Sequence, residues 1–347
     1  MNIDIALWLA QDAVTNGAVY VLLAIALVLV YTVTRVIFVP QGEFISFAAL
    51  SLATLQDGNL PGTVYLLVGG GLLVAILDGT AAVRAKTMHQ LPKILTVNVA
   101  LPLLVAALAW WTAPRTESLW LQILVTFAII TPLGPIIYRL AFQPIANASI
   151  LVLLIIAVAV HYVLTGLGLV FFGGEGLRSR PFLDITFPVG VLNVSAQSLL
   201  VLFTSAALIA ALWIIFERLL YGKALRATAI NRIGARLVGI PARFSGQLSF
   251  TLAALIGTVS GILISPTTTI YYDTGFLISL KGFVGAIIGG MTSYPLAAIG
   301  SIFVGFLESY SSFWASAFKE TIVFTLVIPV LLWRSLTSPH YEEDEEQ

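Results

Sequence analysis

The sequence predicts an all-α, polytopic integral membrane protein with about 9–11 transmembrane helices. Its 347 residues are 59% hydrophobic and only 10% charged, and the mean hydropathy is +1.00. Soluble domains carry roughly 25% charged residues. The apolar residues also form runs of about 20, which is the length of helix that crosses a bilayer. The chain is therefore expected to be embedded in a membrane along most of its length.

The first half of the chain contains six apolar segments separated by short polar turns. They cover residues 13–34, 36–56, 58–77, 94–114, 118–138 and 149–172. The second segment is interrupted by Pro40, Gly42 and Glu43, and proline and glycine break or kink a helix. Broken backbone is tolerated within a membrane only where it faces protein or a water-filled cavity. This segment is therefore predicted to be kinked or re-entrant.

The second half contains five further apolar runs and a charged end. The runs cover residues 196–216, 244–265 and 318–333, together with two runs inside 275–310 that are separated by a glycine-rich turn. Residues 275–295 could be re-entrant. We expect residues 1–335 to form one transmembrane domain. The acidic tail 336–347 is expected to be solvated.

No motif in the sequence indicates an enzyme or a cofactor site. The chain has no cysteine, and its three histidines lie far apart, so no metal site is expected. A phosphate-binding G-x-x-x-x-G-K-[ST] loop is absent, so this chain is not expected to bind ATP itself. The formal net charge of zero gives no reason to expect a nucleic-acid partner.

The basic residues predict the orientation of the chain in the membrane. The loop 217–243 carries six of them: Arg218, Lys223, Arg226, Arg232, Arg236 and Arg243. Counting spans back from this loop places the basic residues near 35, 84–93 and 139 on the same side. Basic loops remain in the cytoplasm. We therefore expect an external (periplasmic) N-terminus, a cytoplasmic C-terminus and an external loop 173–194.

A single amphipathic helix is predicted within the basic loop, over residues 224–239. Its apolar positions recur every four residues: Leu225, Ala229, Ile233 and Leu237. This spacing is typical of a helix that lies on a membrane surface or against a partner. Gly239 and Pro241 end it. The alternative is a solvated loop without a partner.

Three ionisable residues, Glu43, Lys281 and Glu308, are embedded in apolar sequence. A charge at the centre of a membrane helix costs about 2.5–3.5 kcal/mol, so each should face a cavity or a partner. One hypothesis is that Lys281 pairs with Glu43 or Glu308 beside a permeation path. The alternative is that Lys281 snorkels to an interface and Glu308 ends a helix near the external surface. His161 is interpreted as a hydrogen-bonded packing residue rather than a proton relay.

Several segments together resemble the permeases of the branched-chain amino acid ABC importers. Residues 15–49 contain Asn-Gly and Tyr-x-Leu-x-Ala-Ile-Ala, followed by a Gly-Glu pair. Residues 222–241 resemble the cytoplasmic loop of these permeases. Residues 281–295 resemble the segment Lys-x-Phe-x-x-x-x-x-Gly-Gly-x-x-Ser-x-Pro, and 308–312 resemble Glu-x-x-Ser-Ser. Among the two permeases of such a system, the chain looks like the H-type subunit.

Three departures from the family pattern stand out. Residues 57–117 look like an insertion of two spans. Pro40-Gln41 replaces the usual Ala-His before Gly42-Glu43, and Ile230-Asn231 replaces an acidic pair in the cytoplasmic loop. The first departure bears on the contacts with partners, and the second on the substrate.

The resemblance implies a subunit of a bacterial inner-membrane importer that has no motor of its own. Its partners would be a second, M-type permease, two cytoplasmic ATPase subunits and a periplasmic substrate-binding protein that docks on loops 173–194 and 266–274. The alternatives are a urea or short-amide permease of the same fold, an ion-coupled secondary transporter and a structural membrane protein.

Residue patterns and the resemblance together assign candidate residues to three roles. The translocation pathway candidates are Asn16, Gln41, Glu43, Lys281 and Glu308. The ATPase-coupling candidates are Arg226, Ala229, Asn231, Arg232, Gly234, Arg236 and Gly239. The helix-packing candidates are Gly257, Gly261, Gly285 and Gly289, of which the last two are expected to face the second permease.

Overall fold

The computed structural model describes residues 3–190 and 192–337 and is almost entirely helical. The first eight helices are α1 (Ile3–Thr34), α2 (Gln41–Gln56), α3 (Thr63–Arg84), α4 (Leu91–Leu95), α5 (Leu101–Thr112), α6 (Leu119–Ile130), α7 (Leu133–Ile137) and α8 (Ile150–Phe172). The next eight are α9 (Ala196–Arg218), α10 (Leu220–Ile230), α11 (Arg232–Leu237), α12 (Ala242–Ile264), α13 (Thr274–Ile288), α14 (Tyr294–Trp314), α15 (Lys319–Thr325) and α16 (Val327–Thr337). Strands β1 (Thr186–Val189) and β2 (Leu192–Ser195) pair antiparallel.

Nine helical stretches in the described part of the chain are long and apolar enough to cross a membrane. They are Ile3–Thr34, Thr63–Arg84, Met88–Thr112, Leu119–Ile145, Ile150–Phe172, Ala196–Arg218, Ala242–Ile264, Tyr294–Trp314 and Ser316–Trp333. The predicted all-α polytopic class is thereby confirmed. Helices α2 and α13 have 16 and 15 residues, about 24 and 22 Å. They belong to the two segments that the sequence marked as re-entrant candidates.

Helix α1 lies at the centre of the bundle. It begins at Ile3, ten residues before the predicted span, and from Gly17 to Val30 it is continuously buried. Helices α12, α13 and α14 pack around it. A helix that is apolar on all sides is stable in this position because every face meets another helix.

The second apolar segment is broken, as predicted, but the break covers residues 35–40, and Gly42 and Glu43 already belong to the first turn of α2. Arg35 has a positive φ of 60°, and no helix is formed from Arg35 to Pro40. Phe38 in this stretch is fully buried, with its ring centroid 4.7 Å from that of Phe250 and 5.9 Å from that of Phe142. The non-helical backbone is therefore enclosed by protein, as a membrane interior requires.

The segment 57–117 forms a helical hairpin at one side of the bundle. Its two arms are α3 and the stretch Met88–Thr112, in which a π-helical turn, Thr96–Ala100, joins α4 to α5. On α3, Asp78 bonds to Arg139 and, at 3.0 Å, to Arg243. Two spans are thus present as expected. That they are an insertion relative to the family remains a prediction.

The first pair of packing glycines brings α12 against α2. A Cβ on Gly257 would lie 2.6 Å from the Cβ of Phe44, and one on Gly261 would lie 2.4 Å from the carbonyl oxygen of Ile45. Neither position leaves room for a side chain. Both glycines therefore lie directly against α2, the helix of the broken segment.

The second pair of glycines brings α13 against α14. A Cβ on Gly285 would lie 2.0 Å from Ser301 Oγ, and one on Gly289 would lie 2.5 Å from the backbone nitrogen of Ala297. The expectation that these glycines face a second permease is therefore wrong. Their close-approach surface is already occupied by a helix of the same chain.

Candidate translocation pathway and coupling surface

Four side chains from four helices meet in a group that we call the lysine cluster: Tyr20, Lys281 and Glu308, which are buried, and Glu320, which is partly exposed. Lys281 Nζ lies 2.5 Å from Glu308 Oε1 and 3.2 Å from Glu320 Oε1. The Tyr20 hydroxyl donates to the other oxygen of Glu308. Lys281 and Glu308 are only 6% and 8% exposed. Of the pairings that the sequence left open, the structure selects Lys281 with Glu308.

The lysine cluster also contradicts the snorkelling alternative. Lys281 would snorkel only if its ammonium reached an interface, but this group is enclosed between two carboxylates. Glu308 lies inside α14 and not at its end. The ionised cluster holds one more negative than positive charge, and Glu320 Oε2 is buried without a hydrogen-bond partner. Such a site has the capacity to accept a further hydrogen-bond donor or cation.

A second buried group, the histidine cluster, joins α2, α8 and α13. Glu43 Oε1 lies 2.5 Å from His161 Nδ1 and accepts a hydrogen bond from Thr165 Oγ1 at 3.3 Å. The His161 ring stacks on Phe276 with a centroid distance of 4.2 Å. Glu43 stands in the first turn of α2, where a helix favours a negative group. His161 is hydrogen-bonded, as expected, but its partner, 118 residues away, was not predicted.

The remaining pathway candidates lie at different places. Gln41 is fully buried, and its Nε2 donates to the carbonyl oxygen of Ala253 on α12 at 2.9 Å. Its Oε1 and the Oε2 of Glu43 are buried acceptors without a protein partner. Asn16 is exposed on α1, one turn before Tyr20. The five candidates therefore do not form one site: two lie in the lysine cluster and two at the start of α2.

The predicted amphipathic helix of the basic loop is two helices, α10 and α11, joined at Asn231. The backbone of Asn231 is extended, with φ −147° and ψ 99°. Its side-chain oxygen accepts a hydrogen bond from the Gly234 amide at 2.7 Å and so caps α11. Asparagine favours this capping position over a helix interior. The prediction of a single helix over 224–239 is wrong for this reason.

Because of the break, the four-residue repeat does not form one face. Leu225 is 1% exposed and packs into the bundle, and Thr228 Oγ1 lies 2.9 Å from Ser245 Oγ on α12. Ala229, Ile233 and Leu237 are exposed. We use the term coupling patch for the exposed apolar residues of this segment: Ile230, Ile233, Leu237 and Val238. Their exposure makes these residues the candidate contact surface for a partner.

Two basic side chains near the coupling patch make contacts with other parts of the chain. Arg226 pairs with Glu217, and both remain exposed. Arg232 donates from Nη1 to the carbonyl oxygen of Ala146 at 3.2 Å, which ties α11 to the turn before α8. The pKa of Arg232 is lowered from its ordinary value, first by burial and then by the charge of Arg236.

The end of α11 is formed by a glycine with left-handed backbone. Gly239 has φ +88°, and the amide of Ile240 donates to the carbonyl oxygen of Ala235 at 2.9 Å. Glycine adopts this conformation without strain. The predicted end of the helix at Gly239 is therefore confirmed. Arg236, in the last turn before it, is exposed to solvent.

These features define a multi-pass membrane protein of the transporter class, with charged groups enclosed between its spans and an interaction surface at its basic end. The chain belongs to the family described as branched-chain amino acid transport system / permease component, whose model matches residues 9–332. The resemblance inferred from the sequence is confirmed. Members of this family are transport subunits and not enzymes, and each works with other components of a transport system.

Three relatives illustrate the similarity. The chain is 26% identical over 339 residues to the high-affinity branched-chain amino acid transport system permease protein LivH of Escherichia coli K12, covering 92% of this chain and 91% of the relative. It is 25% identical over 336 residues to LivH of Salmonella typhimurium, with the same coverage. A probable LivH permease of Methanocaldococcus jannaschii is 28% identical over 227 residues, 61% of this chain and 70% of the relative. No solved structure matches the chain.

Proposed function

We propose that this chain is the permease subunit of an ABC importer that moves branched-chain or related amino acids across the bacterial inner membrane. Family membership and the names of the relatives support this function. The partners would be an M-type permease, two cytoplasmic ATPase subunits and a periplasmic substrate-binding protein. ATP would be bound by the partner ATPase, which supplies the energy.

The observation that carries the proposal is the coupling patch. Its four residues are between 68% and 84% exposed, although the segment itself is firmly attached to the bundle. A Cβ on Gly222 would lie 2.1 Å from the carbonyl oxygen of Ile215, so α10 rests directly on the end of α9. An ATPase that binds the patch and moves would therefore also move α9. It would also move α12, because Thr228 of α10 contacts Ser245 of α12. Rocking of packed helices is one established route to alternating access.

The first test of the proposal concerns the coupling patch. Replacing Ile233 and Leu237 together by aspartate should prevent stable assembly with the ATPase, because two charges would be desolvated in the interface. We expect at least a tenfold loss of copurified ATPase and of amino acid uptake. Leu183→Asp, at an exposed residue of the 173–194 loop, is the matched control and should retain the ATPase. Undiminished ATPase binding by the Ile233/Leu237 variant would refute this assignment.

The second test concerns orientation. The chain has no cysteine, so single cysteines report their own location without further changes. Asp184→Cys should react with a membrane-impermeant maleimide in intact spheroplasts. Lys223→Cys should react only after the membrane is permeabilised, because the basic end is expected to be cytoplasmic. Both positions are exposed. The opposite labelling pattern would invert the proposed topology.

The lysine cluster favours one alternative function, an ion-coupled secondary transporter. Its excess carboxylate is the kind of group that binds a proton or a cation within a membrane. Reconstitution separates the two functions. The purified chain alone in liposomes, under an imposed proton or sodium gradient, should accumulate no leucine if it is an ABC permease. Gradient-driven accumulation without an ATPase would establish the secondary transporter instead.

A further inference from the structure

A cavity of about 900 Å³ lies between the 57–117 hairpin and the neighbouring helices of the bundle. This volume falls in the range of about 300–1,000 Å³ that is usual for ligand sites. Its walls are formed by both arms of the hairpin, by α7 and by the start of α12. None of the translocation candidates lines it, so it is separate from the proposed pathway.

The inner part of the cavity is apolar, and the two arms of the hairpin touch each other beside it. The apolar lining residues include Leu67, Val74, Val97, Leu101, Pro102 and Ile136. A Cβ on Gly71 would lie 2.3 Å from the carbonyl oxygen of Asn98, in the π-helical turn, so the two arms of the hairpin touch there through their backbones. The space next to this contact lies between two helical stretches, Thr63–Arg84 and Met88–Thr112, that are both long and apolar enough to cross a membrane. It offers apolar walls to a flexible hydrocarbon chain.

The outer part of the cavity is positively charged. Its ionisable lining residues are Lys93, Arg139, Arg243 and Asp78. Asp78 accepts hydrogen bonds from Arg139 Nε at 2.7 Å and from Arg243 Nη2 at 3.0 Å. The aspartate neutralises only one of the three positive charges, which leaves a formal excess of two. Arg243 is about half exposed, so its guanidinium is accessible to an anion.

The spacing of the two parts matches one leaflet of a bilayer. Along α3, Leu67 and Asp78 are 11 residues apart, or about 16 Å. Half of a hydrocarbon core is about 15 Å thick. From Leu67 to Ala82 the distance is about 22 Å, and half of a bilayer with its headgroups measures about 20–22 Å. The positive charges therefore lie at the depth of lipid headgroups if the apolar part reaches the membrane centre.

From this geometry we infer that the cavity is a binding site for an anionic phospholipid. The phosphate is held by Lys93, Arg243 and the free edge of the Arg139 guanidinium, and an acyl chain fills the space along Val74 and Val97. Basic pockets between transmembrane helices on the cytoplasmic side bind anionic headgroups. The lipid adds to the direct contacts that join the hairpin to α7, through Gly70 and Ile136, and to α12, through Asp78 and Arg243.

The test measures lipids bound to the full chain, purified with its partners in mild detergent and reconstituted in nanodiscs that contain phosphatidylglycerol and phosphatidylethanolamine. The wild-type protein should retain phosphatidylglycerol in preference to phosphatidylethanolamine. Lys93→Gln combined with Arg243→Gln should weaken phosphatidylglycerol binding about fivefold for each charge removed. Arg180→Gln, which removes an exposed arginine outside the cavity, should leave it unchanged.

A second variant tests the acyl-chain part without altering charge. Val97→Trp places a large side chain in the apolar region and should reduce retention of phosphatidylglycerol while the protein remains monodisperse. Inorganic phosphate serves as the competing probe. If phosphate alone raises the melting temperature as much as phosphatidylglycerol does, and Val97→Trp does not change this, the site is an anion site and the lipid proposal is wrong. Unchanged phosphatidylglycerol retention in the charge variant would also overturn it.

Discussion

Lys281→Met is expected to destabilise the protein by about 3–5 kcal/mol, because it leaves the carboxylates of Glu308 and Glu320 close together without their shared cation. Lys281 Nζ lies within 3.2 Å of both residues, and its side chain is only 7% exposed. The cluster joins α1, α13, α14 and α15, so its loss should loosen the whole bundle. Thermal unfolding in detergent, followed by the intrinsic tryptophan fluorescence, measures the effect.

The double variant Lys281→Met, Glu308→Gln distinguishes charge pairing from simple packing. It removes the carboxylate of Glu308, the more buried of the two in the cluster, together with the ammonium of Lys281. The remaining carboxylate, that of Glu320, is 37% exposed and can be hydrated. The double variant should therefore recover much of the stability that the single variant loses. Lys223→Met, at an exposed lysine, is the control and should change little. The single variants Lys281→Met and Glu308→Gln complete the comparison. If the loss of stability in the double variant equals the sum of the losses in these two, the ion pair itself contributes nothing.

Gly42→Ala is expected to produce the second large effect, because α2 and α13 cross with their backbones in contact at this residue. A Cβ on Gly42 would lie 2.2 Å from the carbonyl oxygen of Gly275. The Gly275 amide donates to Ser46 Oγ at 2.7 Å, which fixes the crossing. Overpacking usually costs about 1–3 kcal/mol, and a clash between two backbones has no side chain that can move aside. Stability and uptake should both fall.

Gly166→Ala provides the matched control on another membrane helix. A Cβ at Gly166 in α8 would meet no atom within 4 Å. The same substitution should there stabilise the helix by about 0.5–1 kcal/mol, because alanine restricts the unfolded chain. If Gly42→Ala also proved neutral or stabilising, the close contact of α2 with α13 would be contradicted.

Features with a local cause were predicted from the sequence. Long apolar runs predict spans, because a bilayer demands about 20 apolar residues from each crossing helix. The start of α2 directly after Pro40 follows from that proline, and the end of α11 follows from Gly239. The family was recognised from short motifs along residues 15–49 and 281–312.

Residues 224–239 show where a local sequence pattern was not sufficient to predict the structure. A repeat of four predicted one helix, but Asn231 caps a second one, and Leu225 turns inwards while Ile233 and Leu237 remain outside. Periodicity describes a face only as long as the helix is continuous. The exposed coupling patch could not be read from the sequence for this reason.

By itself, the sequence determined that this protein crosses a membrane many times and that its charged residues within the spans need partners, and it predicted that the basic loops lie on one side. Only the tertiary structure decided which partners: Lys281 with Glu308 and Glu320, and Glu43 with His161. It also assigned Gly285 and Gly289 to contacts within the chain. The physical reason is that the hydropathy and charge of a segment decide whether that segment enters the membrane, but not which other helix it packs against. Pairing depends on which helices pack together, and residues 118 positions apart become neighbours only when α2 and α8 do.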